Sequence, residues 1–88
     1  MTLKIERVCD PRCTSLRLIG RIRAEDLEGL KLQMEGDRSR VVLDLDEVTI
    51  VDTDVVRFLG GCEARGIELL HCARYIREWI LRERNKHV

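Results

Sequence analysis

Aromatic side chains are nearly missing, with one Phe, one Tyr and one Trp in 88 residues. That scarcity argues against recognition of nucleic acid by stacked bases and leaves the core to aliphatic residues. A net excess of either charge is missing too. Sixteen basic residues balance sixteen acidic ones, so nothing in the bulk charge draws the chain to nucleic acid or to an anionic membrane. No apolar run approaches the roughly eighteen residues of a membrane span, and the first ten residues lack the apolar core of a secretory signal. The expected location is therefore cytoplasmic. His71 and His87 are the only histidines. No glycine-rich phosphate loop exists, and no Ser or Cys sits in a nucleophile elbow. The expectation is a protein that is not an enzyme and holds no cofactor.

What is present is enough for one domain spanning residues 1–88. The hydrophobic fraction is 44%, too high for a disordered chain. Leu3 to Val8 reads as a strand, with Leu3, Ile5 and Arg7 on one face. Asp10-Pro11-Arg12 reads as a turn, because Pro11 fixes φ and has no N–H to donate. Ser15 to Ile22 is a second strand, antiparallel to the first. Leu27, Leu30 and Met34 recur at helical spacing within a helix Ala24 to Glu35, closed by Gly36-Asp37. Arg40 to Leu45 is the third strand, apolar on the Val41, Leu43, Leu45 side and mixed on the other. A helix Asp54 to Arg65 follows, capped by Gly66. Ile67 to Cys72 is the fourth strand. The last helix, Arg74 to Asn85, has Tyr75, Ile76, Trp79 and Ile80 as its apolar stripe. The order β-β-α-β-α-β-α predicts an α/β fold: a four-stranded mixed sheet with helices mainly on one face, since right-handed crossovers in one direction stack there. Gly60-Gly61 inside the second helix is expected to permit close helix–sheet approach.

Three clusters invite chemistry. Asp44, Asp46, Glu47, Asp52 and Asp54 put five acids and no base in eleven residues. Hard cations favour such groups, but a solvated acidic rim that steers a basic partner fits better. Cys9 and Cys13, with His71 and Cys72, have the chemistry of a zinc set. The topology puts the two pairs at opposite ends of the sheet, about 17–20 Å apart. No metal site is expected, and reduced thiols are the default in a chain without an export signal. A Cys9–Cys13 disulfide across the turn remains open, and Cys62 reads as a core residue. The last helix and tail carry Arg74, Arg77, Arg82, Arg84 and Lys86 against Glu78 and Glu83. This end is either a solvated face or a surface that docks on the acidic rim of a second copy as a homodimer.

The richest stretch is Val41 to Leu59, where a strand runs through an acidic turn into a helix. Such junctions present polar groups to a partner or a phosphate. Gly20-Arg21-Ile22 with Ala24 to Leu30, Val41-Val42-Leu43-Asp44-Leu45, Val51-Asp52-Thr53-Asp54 and Gly66-Ile67-Glu68-Leu69 occur in the order and spacing of a STAS domain. Together they resemble that family, the fold of bacterial anti-sigma-factor antagonists. The resemblance covers nearly the whole chain. It implies partner switching in transcription regulation, in which a kinase that is also an anti-sigma factor phosphorylates the second hydroxyl of an Asp-Ser-Ser-Gly or Asp-Thr-Ser-Gly motif. Asp52 matches the motif aspartate and Thr53 the first hydroxyl. Asp54 occupies the phosphorylated position and Val55 that of the glycine. An aspartate cannot take phosphate from a Ser/Thr kinase, and it carries about one negative charge where phosphoserine carries about 1.5–2. Asp54 is thus either a fixed phospho-like group or an acid at a helix start. Thr53 is either an alternative phosphate acceptor or an N-cap. Val55 is expected to add bulk and an apolar contact. The expected partner surface is Asp52, Thr53, Asp54, Val55 and Phe58, and the expected partner an anti-sigma factor or related kinase. The alternatives are a constant subunit of a larger assembly, such as a lipid transporter or sensory complex, and a nucleotide- or metal-binding sensor using the acidic rim.

Overall fold

A β-hairpin opens the chain in the computed structural model, which describes residues 3–35 and 40–85. Strands β1 (Leu3–Cys9) and β2 (Cys13–Ile22) pair antiparallel, from Leu3 opposite Gly20 to Cys9 opposite Thr14. The Asp10 N–H donates to the Cys13 carbonyl at 2.9 Å, and the Asp10 carboxylate accepts the Arg12 N–H at 2.9 Å. Cys9 and Cys13 fall on opposite faces of this ladder, so their side chains diverge, and all four cysteines are free thiols. Gly20 has φ of 96°, a backbone state that only glycine adopts cheaply.

A 3₁₀ turn (Ala24–Asp26) leads into helix α1 (Leu27–Met34). The Asp26 carboxylate accepts the Arg23 N–H at 2.9 Å and holds the turn. Glu35 already leaves the helix with an extended backbone. The expected stop at Gly36-Asp37 lies outside the described residues. Strand β3 (Arg40–Val51), helix α2 (Thr53–Ala64), strand β4 (Glu68–Leu70) and helix α3 (Arg74–Asn85) complete the chain. The sheet order is β1-β2-β3-β4, with β2, β3 and β4 parallel. This is the expected α/β fold with a four-stranded mixed sheet.

Most boundaries lie within two residues of expectation, and the larger departures, in β3 and β4, have identifiable reasons. β3 runs to Val51 rather than Leu45. Its pairing with β2 shifts register between Arg17 and Ile19 and again between Gly20 and Arg21, and each shift inserts one extra residue into β3. The inward positions therefore run Leu43, Leu45, Val48, Val51. The alternation that marks a strand is broken from Asp46 onward. β4 is three residues long rather than six. At its start, the Ile67 N–H still belongs to the end of α2, bonding the Cys62 carbonyl, while the Gly66 N–H bonds the Glu63 carbonyl. This is a Schellman cap with Gly66 left-handed at φ 91°. At its end, His71 turns left-handed at φ 55° and breaks the ladder.

One core joins the sheet to the helices. Leu16, Leu18, Leu43 and Leu45 pack with Leu30 of α1, Val55, Leu59 and Cys62 of α2, and Ile76 and Ile80 of α3. Trp79 is half-buried against it. Tyr75 departs from the expected stripe. It is 48% exposed, and its hydroxyl donates to the Thr49 carbonyl at 2.9 Å. The opposite sheet face carries Glu6, Arg17 and Asp44 in register.

The paired glycines have separate meanings. A Cβ on Gly60 would meet Ile80 Cγ2 at 3.3 Å, so the close approach it permits is to α3 and not to the sheet. A Cβ on Gly61 would meet nothing within 4 Å. Gly61 thus carries the helix-interior penalty of about 0.5–1 kcal/mol against alanine with no packing reason.

Candidate functional site

After its second bulge, β3 delivers Val51 into the core and Asp52 to the start of α2. Asp52 has the extended backbone of an N-cap, and its carbonyl accepts the Val56 N–H at 3.0 Å as the first helical bond. Both carboxylate oxygens are committed. Oδ1 accepts the Val55 N–H at 3.0 Å, and Oδ2 accepts the Ala24 N–H at 2.9 Å. One side chain therefore caps α2 and ties it to the 3₁₀ turn that follows β2. Thr53 is released from the capping role open to it on sequence and becomes the first helical residue. Thr53 and Asp54 are exposed. Asp54 lies in the first turn, where the helix dipole favours an anion by about 0.3–1 kcal/mol.

The other two expected partner residues lie elsewhere. Val55 is 0% exposed and belongs to the core. It adds neither bulk nor an apolar contact to the outer surface, contrary to expectation. Phe58 is half-buried and lines a groove toward the far end of α2 with Lys31, Met34 and Ile67. The Lys31 ammonium stands 5.8 Å from the Phe58 ring centre. The outward part of the predicted surface thus narrows to Thr53 and Asp54 on a platform that Asp52 fixes.

The acidic rim is divided among several roles. Glu47 pairs with Arg17 at 3.2 Å, and Arg17 also reaches Glu6 at 4.0 Å. Asp44 Oδ1 lies 3.0 Å from His71 Nδ1 and accepts the Asp46 N–H at 3.0 Å. Burial alone would raise the Asp44 pKa, but the His71 hydrogen bond and the Asp46 N–H outweigh it and lower the value. The Asp44 hydrogen bond raises His71 above the ordinary imidazole value. No group of three or more metal-ligand side chains gathers among the described residues. Cys13 lies opposite Arg40, and Leu70 opposite Asp44. His71 therefore sits about five strand positions from Cys13, roughly 16 Å along the sheet.

The pair has a definite pH signature. The raised His71 contributes stability below about pH 6.5 that is lost as pH rises through its folded pKa. The lowered Asp44 contributes above about pH 3.9 and loses its share as pH falls through its own folded pKa. Asparagine tolerates a left-handed backbone, so His71→Asn removes the charge without adding strain. Wild type is expected to melt above His71→Asn at about pH 5.5 and to match it near pH 9. An equal gap at both values would show that the pair does not titrate as described.

The basic end of α3 is largely engaged within the chain. Arg77 Nη1 donates to both Glu63 oxygens at 2.6 and 2.7 Å, and that hydrogen bonding raises the Arg77 pKa further. Arg84 lies 3.9 Å from Glu63, and Arg74 is 3.4 Å from Glu78. The buried Glu83 accepts from Arg57 Nε at 3.0 Å. Docking of this end on a second copy would have to compete with these pairs; Lys86 lies outside the described residues. No helix among the described residues is long and apolar enough to cross a membrane.

The Asp52 bond to Ala24 joins residues 28 apart and has no signature in sequence. The cap itself does, since an acid directly before an apolar helical repeat is a start signal. No protein-family model and no curated protein matches this chain.

Proposed function

We propose that the chain is a cytoplasmic protein-interaction module of the STAS type, holding a regulatory partner on the exposed Thr53–Asp54 step at the start of α2. The observation that supports this reading is the pair of hydrogen bonds that the Asp52 carboxylate accepts from the Val55 and Ala24 N–H groups. It fixes the helix start from two sides while its neighbours stay open to solvent. A preorganised surface loses little on binding. On the resemblance to anti-sigma-factor antagonists, the partner is an anti-sigma factor or related kinase. Asp54 then presents a constant negative charge where those proteins add and remove phosphate, and Thr53 is the remaining hydroxyl. The module would be set in one state rather than switched.

The test is capture from lysate of the source organism, with wild type beside Asp54→Ser and Asp54→Lys. Wild type is expected to retain a kinase-like protein, and Asp54→Lys to lose at least about tenfold of it, as charge reversal at a contact does. Capture by Asp54→Ser alone would make Asp54 a built-in block on the same surface. If all three variants bring down one non-kinase assembly in fixed stoichiometry, the proposal fails and the domain is a structural subunit.

A further inference from the structure

The groove that takes Phe58 lies at the opposite end of α2 from Asp52 and Asp54, between α1 and the start of β3. Its volume is about 840 Å³, within the range of small-molecule sites. Met34, Val41, Phe58 and Ile67 give it an apolar floor, each already packed against the core. Lys31, Arg40 and Arg65 stand around that floor, with Glu35 as the one acid among the described lining residues, which together carry an excess of two positive charges. Elsewhere the cations are mostly matched, as Arg17, Arg57, Arg74 and Arg77 are by Glu47, Glu83, Glu78 and Glu63. Among the described residues, the three groove cations form no ion pair. Lys31 instead rests over the Phe58 ring, and Arg65 reaches only the Cys62 sulfur at 3.9 Å.

Gly61 supplies a second, independent observation. It lines the groove, and a Cβ there would enter open space. The helix carries a destabilising residue at a position where packing asks for none, and the effect is to keep one wall of the groove bare.

We infer that this groove binds a single-chain anionic amphiphile, with its alkyl tail on Met34, Val41, Phe58 and Ile67 and its headgroup among Lys31, Arg40 and Arg65. A purely polar anion would leave the floor wet. A neutral lipid would leave the excess positive charge of the described lining unmatched beside it. The Thr53–Asp54 surface is separate, so this inference and the proposed partner binding stand or fall independently.

The full-length chain, labelled with nitrogen-15, is titrated with decanoate and with decyl phosphate, both below micelle formation. Inorganic phosphate and decyltrimethylammonium are the headgroup-only and charge-reversed controls. Saturable binding is expected, with amide shifts centred on Gly61, Arg65 and Ile67, and the tighter of the two probes identifies the headgroup. The double variant Arg40→Gln/Arg65→Gln is expected to bind about tenfold more weakly, as loss of two charge contacts implies. Gly61→Leu is expected to abolish saturation while the melting temperature holds or rises. Should the leucine perturb the fold, Gly61→Ala serves instead and weakens binding in the same direction. The inference is overturned if neither amphiphile saturates, if shifts centre elsewhere, or if Gly61→Leu binds as wild type does. Equal affinity for the cationic amphiphile, or for inorganic phosphate alone, overturns it as well.

Discussion

Asp52→Ala is expected to lower the unfolding free energy by about 2–3 kcal/mol. Loss of an N-cap aspartate alone is worth about 0.5–2 kcal/mol. Here the same substitution also strips the Ala24 N–H of its acceptor, and a hydrogen bond to a charged group contributes roughly 1.5–3 kcal/mol when solvent cannot fully replace it. The two losses overlap, because both sites are partly open to water, and their sum is therefore discounted. Asp52→Asn separates them. Its single side-chain oxygen can serve Val55 or Ala24 but not both, so about half of the lost stability should return. Urea denaturation of the three proteins decides the matter. An alanine variant within about 0.5 kcal/mol of wild type would mean that the carboxylate caps nothing of consequence.

Leu43→Ala should have the larger effect, about 3–5 kcal/mol. Leu43 is fully buried and lies on β3 between Leu16 on one side and Leu69 on the other. Both of its strand neighbours are inward-facing, so removal leaves a cavity that the sheet cannot close by shifting one element. Leu→Ala substitutions at such sites cost about 2.7–5 kcal/mol, rising with the cavity that remains. A domain of this size has a total stability of roughly 4–13 kcal/mol, so one side chain accounts for a large share. Val41→Ala on the same strand and face is the internal comparison. Val41 is only half-buried and should lose about 1 kcal/mol or less. Equal losses at the two positions would show that burial on β3 does not set the cost.

Much of this architecture was legible because local signals agreed with tertiary ones. The hairpin turn at Pro11, the Leu27-Leu30-Met34 repeat and the left-handed Gly66 each mark their element without outside help. The departures share a cause: a distant partner overrides the local pattern. The bulges in β3 are imposed by pairing with β2, and they give Val48 and Val51 a spacing that no strand template fits. His71 ends β4 where its ring meets Asp44, an interaction between residues 27 apart. Tyr75 sits at helical spacing with Ile76 and Trp79, yet its hydroxyl turns it toward Thr49. At the candidate site, the sequence already places Asp52 to Val55 at a helix start. Which of them face outward was decided by geometry: a carboxylate used twice, and a valine that the helix turn rotates into the core.

The short fourth strand has one more consequence. β4 covers only Val42 to Asp44, while β3 continues for seven residues to Val51. An inner strand of this sheet is therefore also an edge over its second half, and such an edge invites a strand from another copy. Three features oppose that. The two bulges bend the ladder away from a flat template, exposed Asp46 and Glu47 place like charges where two copies would meet, and Tyr75 occupies the Thr49 carbonyl. The acids that look like a docking rim thus also act as a guard against self-association, and replacing Asp46 and Glu47 with neutral residues should make the chain more prone to aggregate.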